Sequence, residues 1–141
     1  MKKHFVNFFC GFLSTHIFHQ GLLGLIFIAN LAPVKPFNMG PTDPFGVPAI
    51  LSLAFFGGLW GVLIGYLIRK DAGKMFWLKA IIMGAIFPTA IALLVVYPLK
   101  GISFNPRMLP ISLILNAVWG LGLAILIKLS SRLDKQSSRT L

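Results

Sequence analysis

The side chains best suited to chemistry lie in the first apolar run of the chain. Ser14, Thr15, His16, His19 and Gln20 interrupt it. In an α-helix His16, His19 and Gln20 fall at i, i+3 and i+4 and share one face. Imidazole ligates metals and carries protons near neutral pH. Asn116, in the fourth apolar run, lies at a similar depth counted inward from the ends, and Thr89 of the third run is close to that level. Beside Thr89, Pro88 removes one helix hydrogen bond and can free a carbonyl as an acceptor. His16, His19, Gln20, Asn116 and Thr89 are therefore the candidate polar site.

Three uses of that site compete. The first is packing: hydrogen bonds between helices, each worth about 0.6 kcal/mol in a bilayer, tying runs one, three and four together. The second is a small transporter or channel whose solute meets these groups. The third is haem or metal binding through His16 and His19. No carboxylate or second thiol accompanies these histidines, and two histidines on one helix face cannot take opposite axial positions of one haem. No cofactor is expected. The chain has three Asp and no Glu, with every Asp outside the apolar runs, so carboxylate-coupled transport has no carrier. No nucleophile–base pair, phosphate loop or carboxylate pair points to an enzyme. A structural or accessory role leads, and transport is the alternative.

The elements that must position these residues are read from composition. The 141 residues are 57% apolar and 11% charged, against roughly 25% charged in a soluble domain. That balance excludes a soluble globular domain and a disordered chain. A membrane-spanning helix needs about 20 apolar residues. Four segments supply them, at about 5–31, 47–68, 77–96 and 109–129. The fold class expected is an all-α integral membrane bundle of four transmembrane helices, since backbone groups in lipid must be satisfied within the segment and no barrel alternation appears. Met1, Lys2 and Lys3 open the chain like a signal peptide, but the apolar stretch that follows outruns an h-region of about 7–15 residues, so we expect a retained first span.

Charge orients these spans. Ten of the thirteen basic residues fall on the side of the termini and of the loop between spans two and three. Lys35, Lys100 and Arg107 fall on the other. The positive-inside rule places both termini in the cytoplasm. The net charge of +10 therefore reads as orientation, and nucleic acid is not an expected partner. The bilayer is. Residues 130–141 read as a basic, disordered cytoplasmic tail near anionic lipid. The lone Cys10 excludes an internal disulfide and reads as a small core residue.

Small residues set the packing expectations. Gly57, Gly61 and Gly65 form a stripe at four-residue spacing, suited to close helix approach. We expect the partner to be another span of the chain, with a second copy or another membrane protein as the alternative. Trp60-Gly61 recurs as Trp119-Gly120, with a basic residue nine positions after each Trp, Arg69 and Lys128. Pro33-Val34-Lys35 and Phe37-Asn38 are echoed by Pro98-Leu99-Lys100 and Phe104-Asn105. These echoes suggest a tandem repeat of two-helix hairpins. Each Trp is expected to cover a glycine groove on a neighbour. The loop from Pro33 to Pro48, with five prolines, reads as a stiff cap on the outer face.

At His19-Gln20 and Pro44-Phe45-Gly46-Val47-Pro48, and on through Ser52, Phe56-Gly57-Gly58 and Trp60-Gly61, the chain resembles small uncharacterised bacterial inner-membrane proteins. The resemblance covers mainly the first half and implies a bacterial inner-membrane location. The chain has the size and span count of small multidrug transporters but lacks their intramembrane Glu.

Overall fold

Long runs of Leu, Ile, Phe and Ala with few internal breakers make the chain mostly helical. The computed structural model describes residues 2–101, 103 and 105–137. Four helices are long and apolar enough to cross a membrane: α1 (Lys2–Ile28), α2 (Ala49–Leu67), α3 (Gly73–Leu99) and α4 (Met108–Ser137). Their ends have local causes. Asn30, at φ 58°, takes the left-handed conformation that closes α1, and Gly101, at φ 63°, does the same beyond α3. Pro48 precedes α2 in an extended conformation.

The helices differ from the hydropathy segments at their polar flanks. α3 begins at Gly73 and carries Lys74 and Lys79 in its first turns. The tail expected to be disordered is helical to Ser137, and Lys2 donates to Asp134 across 2.9 Å. Hydropathy finds only the apolar part of a helix, while the backbone hydrogen bonds continue beyond it. Met1, Ile102, Phe104 and residues 138–141 lie outside the described residues, so the Phe104 echo and the end of the basic tail are not described.

The outer loop is compact. Its two short strands, β1 (Pro41–Thr42) and β2 (Val47–Pro48), pair antiparallel with Pro41 opposite Pro48. The Thr42 hydroxyl donates to the Val47 carbonyl at 2.8 Å. The Phe37 N–H donates to Gln20 Oε1 at 2.7 Å, which ties this loop down onto α1.

Two close crossings hold the helices in pairs. α1 lies against α2 along Asn7, Gly11 and Thr15, which face Gly65, Gly61 and Gly57. α3 lies against α4 where Gly84 and Ala80 face Gly120. A methyl group on Gly84 would stand 2.7 Å from the Gly120 Cα. The step from Gly11 to Gly84 is the same 73 positions as that from Asn7 to Ala80. The step from Gly61 to Gly120 equals the 59 positions from Gly57 to Asn116. α1 also packs on α4, whereas α2 and α3 barely meet.

The core sits at the end of the bundle that holds the termini. Cys10, Ile64, Ile68, Phe76, Ala80, Trp119, Leu123 and Ala124 form it, with Trp60 and Trp77 packed alongside. Leu23, Ala32 and Leu115 make a smaller buried apolar cluster at the loop end. Large apolar side chains cover the outside, among them Ile28, Leu94 and Leu99, each more than three-quarters exposed.

Candidate functional site

The sparse packing at the loop end leaves a cavity of about 650 Å3 lined by all four helices and the outer loop. Small-molecule sites commonly have volumes of about 300–1,000 Å3. Its floor is formed by Thr15, Trp60, Thr89, Asn116 and Trp119. Its walls are mainly apolar, including Leu23, Ile50, Phe56, Ile91 and Ile111, with Ser52 and Ser112 among them. Lys35, Asn38 and Asp43 of the loop and Lys100 beyond α3 stand at the mouth.

Two departures from α-helical geometry border this space. α1 widens into a π-helical turn over Thr15–His19, and α3 does so over Ala92–Val96. Such turns change which side chains share a face and are frequent at functional sites. Here the change divides the sequence candidates. His19, Gln20, Thr89 and Asn116 come together on the cavity. His16 does not. In the wider turn it no longer shares a face with His19, and its ring lies tilted beside that of Phe12 with 4.9 Å between centroids. The Phe12 carbonyl 3.2 Å from His16 Nδ1 can only accept, so that nitrogen carries the proton.

The polar groups are mostly satisfied within the protein. Asn116 Nδ2 donates to Thr89 Oγ1 at 2.8 Å and joins α4 to α3. The Ser14 hydroxyl donates to the Trp119 carbonyl at 2.6 Å, and Trp119 Nε1 donates to the Gly11 carbonyl and to Thr15 Oγ1, each at 3.1 Å. These bonds join α1 to α4. Trp119 thus covers the Gly11 position, while Trp60 stands against Phe87 with 6.3 Å between ring centroids. His19 is the exception: its Nδ1 is buried and, among the described residues, has no hydrogen-bond partner. Leaving a buried polar atom unpaired costs about 1–3 kcal/mol.

Several participants escaped the sequence reading. Gly11 and Gly84 form the crossings, and Ser52, Ser112, Lys35 and Lys100 line the cavity. Gly84 stands four residues from Ala80, a small-residue spacing that could have revealed it. Among the described residues, no three of His, Cys, Asp and Glu gather closely enough to hold a metal ion. Comparison with known protein families, with curated proteins and with solved structures gives no match for this chain.

Proposed function

We propose that this protein is a four-span protein of the bacterial inner membrane that binds a small molecule in its cavity, in the manner of a small transporter. The observation that carries this reading is the cavity: four helices surround it, polar groups floor it, and an apolar core closes its other end. The exposed apolar exterior suits lipid, which can solvate Leu94 and Leu99 where water would not. The sorting of basic residues supports an orientation with both termini and the apolar core toward the cytoplasm and the cavity mouth toward the opposite face. In this orientation the bilayer is the surrounding partner, and nucleic acid has no role.

The matched crossings support a tandem repeat of two hairpins, each locked by glycine, with a pseudo-axis along the membrane normal. Two rigid hairpins meeting over a central site are parts that could rock to change access. A structural or accessory role, alone or with a second copy, accounts for the crossings equally well. It gives no reason for the cavity or for the unpaired His19 Nδ1.

Cysteine labelling tests the reading. In a Cys10→Ala background, Ser52→Cys and Ser112→Cys should react with a membrane-impermeant maleimide added from the face opposite the termini. Ala80→Cys, fully buried in the core, should not. An unreactive Ser52→Cys and Ser112→Cys, alongside a reactive Asn38→Cys in the loop, would refute a site open to water.

A further inference from the structure

The two hairpins match at their crossings but differ where they meet each other. At the α1–α4 contact, Ser14 reaches the Trp119 carbonyl, and Gly122 lies under Ser14 and the ring of Phe18. The same steps along the chain put Phe87 in place of Ser14 and Leu63 in place of Gly122. Two large side chains thus replace two small ones, and Phe87 stands against Trp60. α2 and α3 make few contacts where α1 and α4 close. Leu53, Phe56 and Ile91 border this gap. They line the cavity, yet are 42%, 55% and 44% exposed. The cavity therefore has an apolar slot in its side as well as a mouth.

The dimensions and charges of this space select an occupant. From Ala49 at the mouth to Trp60 at the floor, α2 rises roughly 16 Å. One leaflet of a bilayer's hydrocarbon core is about 15 Å thick. The lining is mainly apolar along this depth, and Asn116 and Thr89 at the floor satisfy each other. Lys35 and Lys100 occupy equivalent places in the two echoed loops, and both stand at the mouth. Of the three basic residues on this side of the protein, two converge here, opposed by Asp43 alone among the lining residues.

We propose that the cavity takes an anionic lipid, whose hydrocarbon chain enters through the slot between α2 and α3 and whose phosphate headgroup rests at Lys35 and Lys100. This rests on the membrane-embedded binding reading above and names its ligand class. The slot admits the chain without drawing it through water. The lysines hold the headgroup at the level where lipid phosphates lie, each favouring an anionic lipid by roughly fivefold.

Tryptophan quenching tests the proposal. Trp60 and Trp119 floor the cavity, and Trp77 is removed as a background signal by Trp77→Phe. The protein is reconstituted in a non-quenching bilayer containing a small fraction of phosphatidylglycerol or phosphatidylcholine with brominated chains. Brominated phosphatidylglycerol should quench at several-fold lower mole fraction than brominated phosphatidylcholine, and Lys35→Gln with Lys100→Gln should erase that preference. Equal quenching by both lipids in the parent, or a preference that survives both lysine substitutions, would overturn the headgroup assignment. Quenching by aqueous acrylamide but by neither lipid would overturn lipid occupancy and leave a water-soluble ligand. Resistance to all three quenchers would overturn the cavity reading itself.

Discussion

The crossings make the most exacting stability prediction. Gly11 and Gly84 occupy equivalent places in the two hairpins, and a methyl group on either meets backbone that cannot rotate away. On Gly11 it would meet the Gly57 carbonyl oxygen and stand 2.9 Å from the Gly61 Cα. On Gly84 it would stand 2.7 Å from the Gly120 Cα and 3.0 Å from the Asn116 carbonyl oxygen. The helices must separate by several tenths of an ångström, which loosens dispersion contacts along the whole crossing. Overpacking of this kind costs about 1–3 kcal/mol. Gly21 lies in the same helix as Gly11, with no neighbouring atom within 4 Å of an added methyl. Gly21→Ala should therefore gain the helix-propensity term alone, about 0.5–1 kcal/mol. Reversible unfolding of the three variants in bicelles measures the difference. Gly11→Ala and Gly84→Ala should fall below the parent by similar amounts, with Gly21→Ala at or above it. A Gly11→Ala protein as stable as Gly21→Ala would refute the close crossing. A large loss in only one hairpin would refute their equivalence.

Two further substitutions separate packing from site roles. Gln20→Leu removes the side-chain acceptor of the Phe37 N–H, so amide exchange at Phe37 should accelerate roughly five- to 150-fold, corresponding to about 1–3 kcal/mol of lost local stability. Unchanged exchange would show that the loop is held by other contacts. His19→Leu removes the unpaired Nδ1 and should leave the unfolding free energy unchanged or raise it by up to about 1–3 kcal/mol. A loss larger than 1 kcal/mol would mean that His19 supports the fold, not the cavity.

The four helices were legible because hydropathy and length are local properties of the chain. The helix ends were less so: Lys74 and Lys79 lower the hydropathy of the first turns of α3, yet the helix includes them. The failure at His16 has a sharper cause. Its relation to His19 rests on α-helical spacing, and the π turn at Thr15–His19 breaks that spacing. No local spacing rule contains that information. The glycine stripe of α2 was visible, but its partner was not, because α1 offers one glycine between Asn7 and Thr15 in place of a matching stripe. The cavity was invisible for a similar reason. Its side chains come from four helices and a loop, and only their assembly reveals the space between them.

The two matched glycine crossings let such a short chain both pack tightly and hold an opening. A fully symmetric pair of hairpins would close at both contacts or at neither. Here glycine fixes each hairpin internally, so the two contacts between hairpins are free to differ. Ser14 and Gly122 close one, while the larger Phe87 and Leu63 take the matching positions at the other. Exchanging the pairs should therefore move the opening without dismantling either hairpin. Phe87→Ser with Leu63→Gly should let α2 approach α3, whereas the same substitutions in a protein without glycine crossings would only create voids. The asymmetry between the hairpin contacts, more than the histidines of α1, is what leaves this bundle an open cavity.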